Sequence, residues 1–123
     1  MGYRSQVIVA VKKSLLKDNS EILQLLMESD EASQTKTMAY FLFHDAKWYE
    51  HYPSNQKIEN FIADNEEYCA IVRIGEDYGD IQEIGNTYDL GLRIERYAHI
   101  EFETKPYNPK IKRAVKVLHG PSK

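Results

Sequence analysis

The chain has 123 residues, of which 42% are hydrophobic and 28% charged, with a formal net charge of −3. This length suits one domain with its own core, and the composition excludes disordered, fibrous and disulfide-rich classes. No apolar run approaches the roughly 20 residues of a membrane span, and the N-terminus lacks the apolar core of a signal peptide. With a single cysteine, Cys69, these features predict a cytoplasmic protein without a membrane segment.

The first half of the chain predicts the order β-α-β-β. The β-branched run Val7–Val11 is apolar on both faces, which is typical of a central strand. A short amphipathic helix follows, with Asp18 as a capping residue, and a polar loop begins at Ser29. Met38–Phe43 then predicts a second strand, and Lys47–Tyr52 predicts a third.

The second half begins with another predicted helix. Ser54 is placed to cap it, and Asp64-Asn65 marks its end. A fourth strand is predicted over Tyr68–Ile74, and a short strand over Asp80–Ile84.

The most regular pattern lies in Leu90–Phe102, where apolar and polar residues alternate over thirteen residues. This period predicts one long strand with a buried and a solvated face. Arg96 is the only charge in the apolar register, and it indicates a bend, a bulge or an edge. Gly85-Asn86, just before this segment, is a residue pair typical of hairpin turns.

These elements predict an α+β fold: a two-layer sandwich with a largely antiparallel sheet of five to six strands and two helices on one face. Residues 1–104 form a single domain, with 10 basic and 19 acidic residues. Residues 105–123 form a basic C-terminal extension, with six basic residues and no acidic one. Because Ile111, Val115 and Leu118 have helical spacing, we expect this extension to dock on the body.

An acidic loop is the first candidate site. The sequence between Asp64 and Asp89 holds eight carboxylates and one basic residue, Arg73. Oxygen ligands on a flexible loop suit Mg²⁺ or Ca²⁺, so a metal-dependent hydrolase is one reading, but the spacing departs from that of an EF-hand. We therefore predict a recognition surface instead of a metal site. Four residues define this acidic loop: Glu76, Asp77, Asp80 and Glu83.

The chain lacks the common signatures of catalysis. No histidine pair has zinc-ligand spacing, and the sequence contains neither a phosphate-binding glycine loop nor a nucleophile motif. Cys69 lies in an apolar strand, where a buried thiol is expected. The sequence therefore predicts no catalytic residue, no metal and no cofactor.

Aromatic residues crowd the segment between residues 40 and 52. We predict that Tyr40, Phe41 and Phe43 of the second strand lie in the core, and we leave open whether Trp48 lies under a helix or at the surface. Tyr49 and Tyr52 are the candidates for contact with a partner, because exposed aromatic side chains anchor protein interfaces.

A nucleic-acid or nucleotide-binding function is the alternative. Basic side chains neutralise phosphates regardless of base sequence, and the C-terminal extension concentrates them. The residues that would serve this function are Arg93, Arg96, Lys110, Lys112, Arg113 and Lys116.

Three short blocks resemble a set of small uncharacterised phage and prophage proteins. They are Gly2-Tyr3-Arg4-Ser5-x-Val7, Lys47-Trp48-Tyr49, and Arg73-Ile74-Gly75-Glu76-Asp77 followed by Asp80-Ile81, in the same order along the chain. The resemblance spans residues 2 to about 102 and excludes the basic extension. It carries no catalytic residue, and it implies an accessory protein that acts in the cytoplasm of a bacterial host.

Together these features predict a non-enzymatic, phage-type accessory protein that binds a host protein through its acidic surface. Residues 1–104 have a net charge of −9, which steers association toward a basic partner, such as a protein that itself binds nucleic acid. The sequence leaves the oligomeric state open.

Overall fold

The structure, a computed structural model, describes residues 4–48, 52–77, 79–94 and 98–109. The helices and strands within these residues are, in chain order, β1 (Ser5–Lys12), α1 (Lys13–Leu16), α2 (Ser20–Leu26), β2 (Glu31–Gln34), β3 (Met38–Ala46), α3 (Pro53–Asp64), β4 (Cys69–Gly75), β5 (Ile81–Gly85), β6 (Leu92–Ile94), β7 (Ala98–Ile100) and β8 (Lys105–Pro106). None of the described helices is long and apolar enough to cross a membrane.

Six strands form one antiparallel sheet in the order β5-β4-β1-β3-β2-β8. The first four strands and their helices follow the order βαββαβ, with the sheet order 4-1-3-2, which is the ferredoxin-like, split βαβ topology. Strands β5 and β8 extend this sheet at its two edges. The prediction of an α+β fold with a largely antiparallel sheet is therefore confirmed.

One face of the sheet packs against the helices. Val7, Val9 and Val11 of β1 lie fully buried there, in one cluster with apolar residues of all three helices. Trp48 belongs to the same cluster, and its Nε1 donates a hydrogen bond to Glu59 of α3 at 2.7 Å. This tryptophan, whose position the sequence left open, therefore lies against α3 in the core.

The opposite face is covered by a two-stranded hairpin of β6 and β7. Ile8 and Ala10 of β1 are fully buried beneath it. The hydroxyl of Tyr40 donates to the carbonyl oxygen of Leu90 at 2.6 Å, which ties β3 to the chain that enters the hairpin. Because both faces of β1 are covered, its sequence reads as an unbroken apolar run.

Two predicted elements of the first half are wrong. The segment from Ser29 to Thr37 contains strand β2, which is polar because its residues are only half-buried or exposed. Strand β3 continues without interruption to Ala46, and Lys47 and Trp48 do not form a third strand, while residues 49–51 lie outside the described part. The helix predicted after Ser54 is present as α3, but it begins at Pro53 without a side-chain cap.

The predicted thirteen-residue strand is also wrong. The chain reverses between Ile94 and Ala98, so that β6 and β7 pair with each other. Leu92 lies opposite Ile100, and the register joins even-numbered residues to even-numbered residues. Both strands therefore direct their even-numbered apolar residues to the sheet, so the period of two continues from β6 to β7. Gly85 ends β5 and precedes a longer connection of turns to β6, so the Gly85-Asn86 pair does not join neighbouring strands.

The start of the basic extension contacts the main sheet. Strand β8 pairs with β2, and the ring of Tyr107 packs edge-on against Phe41 with their centroids 5.8 Å apart. The backbone N–H of Tyr107 donates to the carbonyl oxygen of Ala32. The rest of the extension, residues 110–123, lies outside the described residues.

Candidate functional site

The acidic loop connects β4 to β5 at one end of the sheet. The backbone N–H of Gly75 donates to the carbonyl oxygen of Asp80 at 2.8 Å, and the N–H of Asp80 donates to the carbonyl oxygen of Asp77 at 2.9 Å. These bonds close a short connection between two paired strands. The acidic side chains are thus carried by a hairpin whose strand β4 is central to the fold.

Arg73 and Asp80 form a two-bonded ion pair across this hairpin. Nη2 of Arg73 donates to Oδ1 of Asp80 at 2.8 Å, and Nη1 donates to Oδ2 at 3.1 Å. Nη1 also donates to the hydroxyl of Ser5 on β1, and Nε donates to the side-chain oxygen of Gln82 on β5. The guanidinium therefore links three neighbouring strands, and it neutralises Asp80 within the structure.

The other three residues of the acidic loop are exposed, and one of them, Glu83, lies within strand β5 and not in the connection between the strands. Oε2 of Glu76 accepts a hydrogen bond from the backbone N–H of Arg4 at 2.8 Å. Oε1 of Glu83 accepts one from the hydroxyl of Thr87 at 2.9 Å. The two donors are a backbone N–H and a hydroxyl, and neither of these groups is charged. These hydrogen bonds therefore do not neutralise the two carboxylates at the surface.

The acidic loop does not have the geometry of a metal site. Both carboxylate oxygens of Asp80 accept hydrogen bonds from Arg73, which competes with coordination of a cation. In the described residues, no group of three or more His, Cys, Asp or Glu side chains is arranged to hold a metal ion.

Cys69 is fully buried at the start of β4, as predicted. Burial raises the pKa of its thiol to about 11, although a hydrogen bond from the backbone of Lys12 acts in the opposite direction. Because the thiolate is the reactive form of cysteine, this environment suits a structural thiol and opposes nucleophilic chemistry.

The structure describes only one of the two candidate tyrosines. Tyr52 is 38% exposed and precedes α3, where its carbonyl oxygen accepts a hydrogen bond from Gln56. This start of α3 lies at the same end of the sheet as the acidic loop, because Ala46 and Gly75 both pair with Ser5. Tyr49 lies outside the described residues.

Of the candidate nucleic-acid residues, the structure describes Arg93. Its guanidinium lies over the ring of Tyr88, 4.1 Å from the centroid, and Nη1 donates to the carbonyl oxygens of Tyr88 and Leu92. The remaining candidates lie outside the described residues: Arg96, Lys110, Lys112, Arg113 and Lys116.

A groove of about 570 Å³ opens between the first two helices and the end of the described chain. Leu16, Leu23 and Tyr107 provide its apolar walls, with Lys13 and Lys17 among its polar residues. Pro109 also lines it, so the basic extension continues from the rim of this groove.

The anchoring role of Arg73 was not predicted from the sequence. The available signal was a single charge within the apolar strand Tyr68–Ile74, followed after a short loop by Asp80. The contributions of Ser5 and Gln82 depend on the registers of β4 with β1 and with β5, which the residue pattern of β4 does not specify.

Comparisons of the chain with protein-family models, with curated proteins and with solved structures give no match in any of the three. Inferences about function therefore rest on the residues of this chain and on the resemblance of its three short blocks to small phage proteins.

Proposed function

We propose that this protein is a non-enzymatic, phage-type accessory protein that binds a basic surface of a host protein through the β4–β5 hairpin. One observation carries the proposal. Arg73 is the only basic residue between Asp64 and Asp89, and its charge is matched by Asp80 inside the fold. Seven of the eight carboxylates of this segment remain after that pair: Glu76, Asp77 and Glu83 are exposed on the hairpin, and the other four lie before β4 or after β5.

The hairpin supports recognition because it is rigid and charged. Its loop is closed by backbone hydrogen bonds, so Glu76 and Asp77 are displayed with little loss of conformational entropy on binding. A cluster of like charges at the surface attracts an oppositely charged partner and raises the association rate. The resemblance to small phage proteins supports a partner in the bacterial host.

The test is affinity capture from a nuclease-treated bacterial lysate. The tagged wild-type protein is compared with a variant that carries Glu76→Gln, Asp77→Asn and Glu83→Gln, which keeps the Arg73–Asp80 pair. We expect the variant to lose most of the captured partner, and we expect capture by the wild type to fall as salt increases.

A matched control separates local charge from net charge. Asp18→Asn, Glu28→Gln and Glu103→Gln change the net charge equally at exposed positions outside the hairpin segment. We expect this control to capture the same partner as the wild type. Equal capture by all three proteins would reject the proposed surface.

A second candidate function, nucleic-acid binding, is favoured by the Arg93–Tyr88 pair. Tyr88 is 71% exposed, and a stacked arginine and tyrosine offer both a charge for phosphate and a face for a base. The sheet face opposite the helices is covered by β6 and β7, so it does not offer the open stacking platform used by some RNA-binding sheets. Binding of a fluorescent 20-nucleotide oligo-dT that is weakened by Tyr88→Ala and by salt would favour this candidate.

A further inference from the structure

The two edges of the main sheet differ in their capacity to pair with another strand. At one edge, β8 has two residues, and one of them is Pro106, which has no N–H to donate. At the other edge, β5 has five residues and no proline. No described strand lies beyond β5. Short edge strands and edge prolines are common ways in which proteins block unwanted pairing, and only the β8 edge has them.

The hydrogen-bond phase of the β4–β5 ladder defines which groups of β5 point outward. The backbone N–H of Gly75 donates to the carbonyl oxygen of Asp80, and the N–H of Asn86 donates to that of Cys69. Because bonded and non-bonded pairs alternate along an antiparallel ladder, the odd-numbered residues of β4 are the ones hydrogen-bonded to β5. Val72 lies opposite Glu83 in a non-bonded pair. The N–H and C=O of Glu83 consequently point away from β4.

The phase of the neighbouring ladder agrees with this assignment. The N–H of Lys12 donates to the carbonyl oxygen of Tyr68, which places the even-numbered residues of β4 in bonded pairs with β1. The backbone N–H and C=O of Val72 therefore point to β1, so Val72 makes no backbone hydrogen bond with Glu83.

The side chains along β5 are also accessible. Ile81 is 47% exposed, and Glu83 is exposed on the same face of the strand. Ile84 points to the other face, where it packs against the helix-side core. An added strand would therefore continue an apolar layer on one face and meet a carboxylate on the other.

We propose that the outer edge of β5 receives an extended, basic segment of a partner protein as an added antiparallel strand. This inference rests on the function proposed above and specifies how the acidic surface holds its partner. Backbone hydrogen bonds to Glu83 supply the pairing, and a lysine or arginine of the partner lies across from its carboxylate. Apolar residues at alternate positions of the partner pack beside Ile84.

Charge favours this occupant over a second copy of the chain. If two β5 strands paired antiparallel about their centres, Glu83 would lie opposite Glu83, and like charges in directly opposed positions destabilise a strand pair. The surrounding segment, with eight carboxylates and one arginine, adds to this repulsion. A basic strand of a partner would instead be attracted by Glu83 and by the surrounding carboxylates.

The test uses an acetylated and amidated peptide of four Lys-Val repeats as the probe. Binding to the full chain is measured by NMR titration, and protection of backbone amides is measured by hydrogen exchange. We expect protection of the Glu83 amide when the peptide binds. We also expect binding to weaken at least tenfold when the backbone nitrogens of the peptide's lysines are methylated, because the lysine opposite Glu83 lies in a bonded pair and its N–H then cannot donate to β5.

Two substitutions separate backbone pairing from charge. Glu83→Pro removes the outward N–H without removing a bond to β4, and we expect at least a tenfold loss of binding. Glu83→Gln keeps the N–H and removes the charge, and we expect a loss of only a few-fold. If the proline variant fails to fold, the N-methylated peptide still provides the decisive measurement with the wild-type protein.

The possible failures can be told apart. If N-methylation and Glu83→Pro leave peptide binding unchanged while Glu76→Gln with Asp77→Asn weakens it, strand addition is wrong and the proposed acidic surface stands. If the Glu83 amide is protected by self-association at increasing protein concentration, a second copy occupies the edge and the inference is overturned. Absence of peptide binding also overturns it, whereas the lysate capture independently tests the proposed function.

Discussion

Arg73 and Asp80 face each other across the β4–β5 hairpin and share two hydrogen bonds of 2.8 and 3.1 Å. Their side chains are only 15% and 31% exposed. The pair divides the acidic loop into two kinds of residue. Asp80 holds the hairpin to the sheet, whereas Glu76 and Asp77 lie exposed in the loop.

Asp80→Asn should lower the free energy of unfolding by about 1–2 kcal/mol, because it leaves the partly buried guanidinium of Arg73 without its counter-charge. Urea unfolding followed by circular dichroism measures this difference. Glu67→Gln, at an exposed residue of the same acidic segment, is the control, and we expect it to change stability by less than about 0.5 kcal/mol. Equal effects of the two substitutions would contradict the structural role of the ion pair.

Tyr40→Phe should lower the free energy of unfolding by about 1–2 kcal/mol, since the buried hydroxyl donates to the carbonyl oxygen of Leu90 at 2.6 Å. Hydrogen exchange should also become faster in β6 and β7, because this bond ties the chain that enters the hairpin to β3. Tyr88→Phe, at an exposed ring, serves as the control. Unchanged exchange in the hairpin would show that the bond does not hold it.

Gly85→Ala should destabilise the fold by about 2 kcal/mol or more. Gly85 has a φ of 87°, and a Cβ atom there would lie 2.2 Å from the carbonyl oxygen of Cys69. Gly79→Ala is a suitable control, because a Cβ at Gly79 meets no atom within 4 Å. The two melting temperatures provide the comparison, and a Gly85 variant as stable as the Gly79 variant would refute the expected clash.

The buried thiol of Cys69 should make stability fall at alkaline pH. Its folded pKa is about 11 against an ordinary value of 9.0, so the folded state holds the proton more tightly. The stabilisation is fully present below about pH 9 and is lost as pH rises through 11, by roughly 2–3 kcal/mol in total. Unfolding free energies between pH 8 and pH 10.5 should therefore fall more steeply for the wild type than for Cys69→Ala. Parallel pH profiles would argue against this linkage.

Removal of residues 105–123 should destabilise the protein more than removal of residues 110–123. The longer deletion removes β8 and the packing of Tyr107 on Phe41, which we expect to contribute about 1–3 kcal/mol. Thermal unfolding of both truncated proteins measures the difference. If the shorter deletion leaves the melting temperature unchanged, the predicted docking of residues 110–123 is wrong.

Local patterns predicted the elements whose environment is uniform along their length. Val7–Val11 is buried on both faces, and Ile58 and Ile62 face one core, so composition and period identify β1 and α3. Strand β2 was not predicted because its residues are polar. It lies close to the edge of the sheet, where polar residues such as Ser33 and Gln34 are tolerated.

The hairpin of β6 and β7 shows a different limit. When two paired strands match even-numbered with even-numbered residues, the alternation of apolar residues is the same as in one long strand, so Leu92 and Ile100 appear to belong to one strand. The acidic loop has the same difficulty. Its position after a strand was predictable, but the pairing of Asp80 with Arg73 depends on the register between β4 and β5.

The central position of β1 affects how the chain is synthesised. Its residues Val7–Val11 leave the ribosome before those of its partner strands β3 and β4, which end only at Ala46 and Gly75. At about 5–20 residues per second, roughly 3–13 seconds pass between completion of β1 and completion of β4. During that interval an apolar strand without its partners is open to aggregation, which makes the nascent chain a substrate for chaperones that bind extended apolar segments.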